Sequence, residues 1–146
     1  MIDNKLYEYM AELLKRTPLD FIRYKYDEIN WNGRLIGIVG PRGVGKSTMI
    51  LQRIKLSKEG HPLYVSADNI YFSNHSLVDF ADEFIKEGGT HLYIDEIHKY
   101  AGWSRELKQI YDMHPSLNLI FTGSSVLDIK NGEADLSRRA LMYMMQ

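Results

Sequence analysis

The chain has 146 residues, 45 % of them apolar and 25 % charged, with a net charge of −1. That is the length and make-up of one ordinary globular domain with a full core, and its near-neutral charge excludes nucleic-acid binding by bulk electrostatics alone. There is no cysteine, which excludes disulfides, thiolate zinc sites and cysteine nucleophiles.

No apolar run approaches the roughly 20 residues needed to span a bilayer, and Met1-Ile2-Asp3-Asn4-Lys5 lacks the basic-then-apolar layout of a secretory leader. A cytoplasmic protein with no membrane partner is the expectation. Residues 3–16 read as an amphipathic helix: Asp3 or Asn4 caps it, Leu6, Met10, Leu13 and Leu14 form its stripe, and Lys15-Arg16 suit its C-terminal end. Thr17-Pro18 stops it. Residues 19–33 interleave aromatic with charged side chains (Phe21, Arg23, Tyr24, Lys25, Tyr26, Trp31) and close on the turn signal Asn32-Gly33. Such a segment is able to stack a base, of a nucleotide or of a nucleic acid; the commoner alternative is a packed connection with solvated charges.

The apolar run from Leu35 to Val39 predicts a strand that stops at Gly40, and a helix from Lys46 to Lys58 follows, ended by Glu59-Gly60-His61-Pro62. Leu63 to Ser66 predicts a second strand, Ala67 to Asn74 a polar loop, and Ser76 caps a helix carrying Leu77, Phe80, Ala81, Phe84 and Ile85. His91 to Asp95 predicts a third strand, 103–113 a helix, and Leu117 to Phe121 a fourth strand ending in Thr122-Gly123-Ser124-Ser125. The remainder holds Arg138-Arg139 and a methionine-rich end (Met142, Met144, Met145) expected to pack loosely. Strands separated by helices require crossover connections, hence a parallel sheet with helices on both faces.

Gly40-Pro41-Arg42-Gly43-Val44-Gly45-Lys46-Ser47-Thr48 carries the most specific chemistry. It matches G-x-x-x-x-G-K-S between a strand and a helix, the setting in which such a run cradles a polyphosphate on inward-pointing N–H groups. Lys46 is placed to reach the β- and γ-phosphates and the Ser47 hydroxyl to ligate Mg²⁺. Ligands of open parallel sheets sit beyond the carboxyl ends of the strands, so this loop, Asp95-Glu96 and the group from Thr122 to Ser125 are expected to share one site. Asp95 would help Ser47 hold the metal, and Glu96 would orient and deprotonate an attacking water. Ser124, less so Thr122, would touch the γ-phosphate or that water, with turn formation as the alternative. His61, His75, His91, His98 and His114 have no ligand spacing, and no zinc site is expected.

The nine-residue loop resembles a Walker A motif, and Leu92-Tyr93-Ile94-Asp95-Glu96 resembles a Walker B motif with its adjacent catalytic glutamate. Together with Thr122-Gly123-Ser124-Ser125 and Ser137-Arg138-Arg139-Ala140 they resemble a prokaryotic group of AAA-superfamily ATPases that carry a further C-terminal domain of unknown function, over about residues 17–142. The resemblance implies a three-layer α/β P-loop fold, ATP and Mg²⁺ as cofactors, and a sensor-1 role for Ser124, where the family usually keeps asparagine. It also implies a sheet in which a fifth strand lies beside the first, then the fourth, third and second. Only four strands are readable, so the fifth is expected to be missing and the P-loop strand to lie at an open edge. The chain is accordingly expected to be one ATPase domain over 1–146 (helix 1–18, nucleotide-binding core 34–142) within a longer protein, or to have that edge covered by its N-terminal segment or another subunit. Of Arg138 and Arg139, Arg138 is the candidate for a transition-state arginine, with a solvated basic patch formed by both as the alternative.

ATP hydrolysis coupled to conformational change is the leading expectation. A nucleotide switch or scaffold with little hydrolysis is the main alternative. Asp95-Glu96-Ile97-His98 also spells the D-E-x-H of one helicase superfamily, but the stretch from Lys46 to Asp95 is short for it and no second motor domain is present. A small-molecule kinase would need a basic lid and an acceptor pocket. Adenine over guanine rests on the resemblance and on the lack of an Asn/Thr-Lys-x-Asp segment.

Overall fold

A computed structural model describes residues 1–124, 136 and 138–146; Ser125 and Ser137 of the motifs above lie outside the described residues. Helix α1 (Asn4–Arg16) starts at Asp3, whose carboxylate accepts from the Lys5 N–H at 2.9 Å. After a short helix α2 (Lys25–Glu28) come β1 (Leu35–Val39), α3 (Lys46–Leu56), β2 (Pro62–Ser66), α4 (Leu77–Lys86), β3 (His91–Asp95), α5 (Trp103–Met113), β4 (Asn118–Gly123) and β5 (Leu141–Met144). Ser76 caps α4 by accepting from the Asp79 N–H.

The five strands form one parallel sheet in the order β2-β3-β4-β1-β5. The fifth strand, expected to be absent, is therefore present, directly after Arg138-Arg139. Ile36 to Val39 pair with Leu141 to Met144, and the Met145 N–H continues to the Val39 carbonyl at 2.8 Å. The methionine-rich end is this strand rather than loose packing, and β1 is interior, with β4 on its other side. The N-terminal segment covers the opposite edge: α1 lies along β2, and the outward Tyr64 N–H donates to Met10 Sδ at 3.3 Å.

Alternation along each strand divides the core into two layers. Leu35, Leu63, Val65, Leu92, Ile94, Leu119 and Phe121 pack with Phe80, Phe84, Leu107 and Ile110 of α4 and α5. Ile36, Ile38, Tyr64, Tyr93 and Ile120 pack with Met49, Ile50 and Ile54 of α3 on the other face. Helices on both faces give the three-layer arrangement. The P-loop thus stands on a strand buried at every position.

β1 is held close to its neighbours at Gly37, where a β-carbon would lie 2.6 Å from both Met142 Sδ and Phe121 Cζ. Gly37→Ala is expected to destabilise the protein by about 1–3 kcal/mol through overpacking, read as a lower urea midpoint at unchanged m-value. An unchanged midpoint would show that β5 does not seat against β1 as described.

Candidate functional site

The carboxyl ends of β1, β3 and β4 open into a cavity of about 330 Å³ lined by Arg42, Gly43, Gly45 to Thr48, Asp95, Glu96, Thr122 and Ser124. Three sequence-distant groups thus meet on one side of the sheet. Gly40 begins the loop, its N–H bound to the Gly123 carbonyl at 3.2 Å, with no room for a side chain against the Met145 carbonyl. Gly45 turns the chain into α3 with φ 89° and ψ 22°, a left-handed conformation that favours glycine. Pro41 and Arg42 are exposed, Val44 half-buried, and Ser47 and Thr48 exposed on the first turn of α3.

Lys46 is buried, and its ammonium donates to the Gly40 and Pro41 carbonyls, each at 2.7 Å. Burial pulls its pKa below the usual lysine range, while the charges of Asp95 and Glu96 act the other way. The lysine is therefore close enough to both carboxylates to feel them, yet bonded to its own loop.

Asp95 is 4 % exposed at the end of β3. Register explains its partners. Ser66 of β2 pairs with Asp95, Ile94 with Phe121 of β4, and Thr122 with Ile38 of β1, so Asp95 and Thr122 are neighbours on the α3 face and Tyr64 sits two residues back on the same face. The Tyr64 hydroxyl donates to Asp95 Oδ2 at 2.5 Å, and the Thr122 hydroxyl donates to Oδ1. Burial and then the Asp95 charge push the Tyr64 phenol far above its ordinary value, so it keeps its proton and remains a donor. Among the described residues no cation is hydrogen-bonded to Asp95. A carboxylate fixed by two hydroxyls, at a cavity that Ser47 also lines, is the hard oxygen donor set that suits Mg²⁺.

Glu96 follows in the left-handed region, φ 52° and ψ 49°, with its N–H donating to Thr122 Oγ1 at 3.0 Å. It lines the cavity. Ser124 lines it too; its N–H donates to His98 Nδ1 at 3.3 Å, and its hydroxyl lies 3.4 Å from Nε2 of the same ring. Thr122, weighed above as a γ-phosphate contact, instead points its hydroxyl at Asp95 and is 1 % exposed. Arg138 is exposed with φ 70° and does not line the cavity, and Arg139 pairs with Asp112 at 3.1 and 3.3 Å. Tyr64 and His98 were missed. The alternation of Leu63-Tyr64-Val65 marks Tyr64 as facing away from the residues beside it, but only the strand register shows that it meets Asp95.

The basic–aromatic segment divides in two. Ile29 and Trp31 are buried in the α3 layer, as a packed connection would be. Phe21 and Tyr24, by contrast, are 72 % and 80 % exposed. They line a second cavity of about 570 Å³ with Arg23, Lys25, Glu28, Met144, Met145 and Gln146. Helix α3 fixes this segment: the Gln52 amide donates to the Pro18 and Phe21 carbonyls at 3.0 and 2.9 Å, and Lys55 to the Thr17 carbonyl at 2.8 Å. Arg23 stands against Gly45, its Nε 3.3 Å from where a β-carbon would be, so the second cavity adjoins the P-loop.

Among the described residues no helix is long and apolar enough to cross a membrane. No curated protein matches the chain. The family model described as AAA domain matches residues 32–146, which takes in the P-loop, both carboxylates and β5. With that match and a parallel sheet in which β1 lies between β4 and β5, the chain belongs to the AAA domain family of nucleotide-binding P-loop proteins.

Proposed function

We propose that this chain binds Mg·ATP across the two adjoining cavities and hydrolyses it to ADP and phosphate, coupling nucleotide state to conformation. The observation that carries this is the one cavity gathering Gly43, Gly45 to Thr48, Asp95, Glu96 and Ser124. The N–H groups of the loop and of the first turn of α3 would cradle the phosphates. Lys46 would exchange its two loop carbonyls for phosphate oxygens, a trade of neutral acceptors for charged ones. Ser47 and Asp95 would hold Mg²⁺, which would supply positive charge against the negative charge developing on the phosphates.

Glu96 would take the proton of the attacking water. It occupies a conformation that costs a non-glycine residue of order 1–3 kcal/mol, and such strain concentrates where a side chain must be aimed. Ser124 would hydrogen-bond the γ-phosphate. Arg138 lies off the cavity, and the mechanism assigns it no step. The adenosine end is assigned to the second cavity, where Phe21 and Tyr24 offer aromatic faces for a base and Arg23 stands between base and phosphates.

Calorimetric titration with Mg·ATP, followed by a phosphate-release assay, tests the proposal. Lys46→Ala is expected to abolish nucleotide binding. Glu96→Gln should bind like wild type and release phosphate roughly 10²–10⁴-fold more slowly, the worth of a positioned base; normal turnover in that variant would refute the assignment. Tight binding without phosphate release by the wild type would point to a nucleotide switch instead. Because both lack the carboxylate, comparing Glu96→Gly with Glu96→Ala isolates the backbone: the glycine variant should be about 1 kcal/mol more stable to urea. For the base, Phe21→Ala with Tyr24→Ala should weaken ATP by about 1–3 kcal/mol and leave inorganic triphosphate unaffected. Equal weakening of both ligands would remove the base from that cavity.

A further inference from the structure

We infer that Thr122 is a positioning residue that holds both members of the Asp95-Glu96 pair through one hydroxyl, the first by its carboxylate and the second by its backbone, with Tyr64 as its counterpart on the other side of Asp95. The inference rests on the reading of Asp95 as a magnesium carboxylate and Glu96 as the base, and it goes beyond that reading because neither Thr122 nor Tyr64 is asked to touch nucleotide or metal.

A threonine hydroxyl has one hydrogen and two lone pairs. Here one lone pair receives the Glu96 N–H at 3.0 Å, and the hydrogen goes to Asp95 Oδ1. A single oxygen atom therefore fixes the carboxylate of one residue and the backbone of the next. Had Thr122 served only to satisfy strand-end backbone, the Glu96 bond would suffice; the bond to a side-chain carboxylate is the additional feature. Tyr64, from β2, brings its hydroxyl to Oδ2 at 2.5 Å. Both oxygens of Asp95 are thus each bound by a neutral donor from a flanking strand, β4 on one side and β2 on the other. The carboxylate cannot rotate about its terminal bond without breaking both. The other lone pairs of the two oxygens are then held in fixed directions for a cation.

The same hydroxyl braces Glu96. Its backbone is left-handed, an unfavourable state that relaxes to extended unless something holds it. The Thr122 bond holds it from the front, and the turn from Ile97 to Lys99, closed by the Lys99 N–H on the Glu96 carbonyl at 3.0 Å, holds it from behind. Ser124, two residues further along β4's exit, is tied to the same turn through His98. Displacement of the end of β4 would therefore move metal carboxylate, base and Ser124 together.

The variants that remove the hydroxyls without changing shape are Thr122→Val and Tyr64→Phe. The readouts are the Mg²⁺ concentration giving half-maximal binding of a fluorescent ATP analogue, and kcat and KM for ATP. Each variant should raise the Mg²⁺ requirement about 10–100-fold, the usual effect of losing a partner that orients a metal ligand. Thr122→Val should lower kcat over a similar range with little change in KM. Magnesium-free nucleotide binding, which the P-loop carries, should stay at the wild-type value. Thr122→Ser keeps the hydroxyl and should restore both readouts. A Thr122→Val protein that matches wild type, or a Thr122→Ser protein as impaired as Thr122→Val, overturns the inference; should Thr122→Val fail to fold by circular dichroism, Tyr64→Phe and Thr122→Ser decide it on the same criteria. The wild-type arm keeps the two ideas apart. Wild-type protein that binds Mg·ATP without releasing phosphate defeats only the hydrolytic half of the functional proposal, and the magnesium readout still decides the positioning role. Wild-type protein that shows no magnesium-dependent nucleotide binding defeats the functional proposal itself and this inference with it.

Discussion

A carboxylate taken out of water must have its oxygens hydrogen-bonded or its charge paired, and Asp95 is buried with no ion pair among the described residues. The site is organised around meeting that requirement. On the α3 face of the sheet the row that ends the strands replaces apolar side chains with Ser66, Asp95 and Thr122, while one level down the same face carries Tyr64, Tyr93 and Ile120. Tyr64 is half of each kind: its ring belongs to the apolar layer and its hydroxyl reaches up to the carboxylate. Lys46 contributes nearby positive charge yet spends its hydrogen bonds on Gly40 and Pro41. The arrangement holds the Asp95 carboxylate in place without an ion pair among the described residues.

The loop that meets that row leaves an interior strand, β1. With β4 on one side and β5 on the other, the P-loop departs from a strand fixed by two hydrogen-bond ladders. Its first residue is pinned between the Gly123 carbonyl and the backbone of Met145. The edges are handled unequally. At β2, α1 lies across the margin and reaches both layers, Leu6 into one and Leu13 and Leu14 into the other. At β5 the strand itself is the margin, and Leu141, Met142 and Met144 remain partly exposed.

The elements legible in the sequence were those with a clean period and a local stop signal. The helices capped by Asp3 and Ser76, the strand ending at Gly40, and the strand running into Asp95 all belong to this class. β5 was not legible, for two physical reasons. Leu-Met-Tyr-Met has no β-branched residue, and methionine and leucine favour helix when isolated. An edge strand with both faces half-exposed also shows no alternation. Its place beside β1 followed from the family's sheet order; its existence, directly after Arg138-Arg139, came from the ladder it forms. The site was legible as a set of strand ends, because the loop, Asp95-Glu96 and Ser124 each carry a chemical signature. The hydroxyls that hold them were not, since Tyr64 and Thr122 acquire their meaning only from which strand lies next to which.

The two ends of the proposed nucleotide site differ in how they are built. At the phosphate end, side chains stand on the ends of three adjacent strands, and Asp95 is fixed by hydroxyls from the strands on either side of its own. At the base end, Phe21, Arg23 and Tyr24 stand on a connection anchored through backbone carbonyls of Thr17, Pro18 and Phe21 by two long side chains of α3. Backbone carbonyls are indifferent to which side chains the segment carries, so the aromatic and basic residues there are free to differ without loosening the anchor. The phosphates would thus meet a preorganised surface, where small displacements cost rate. The base would meet an adjustable one, where they cost little. Gln52 and Lys55 lie on the same helix whose first turn carries Ser47 and Thr48. Under the proposed function, a shift of α3 as its N-terminus engages phosphate would carry the base-side segment with it and would give nucleotide state a mechanical route from the P-loop to the exposed face at Phe21 and Tyr24.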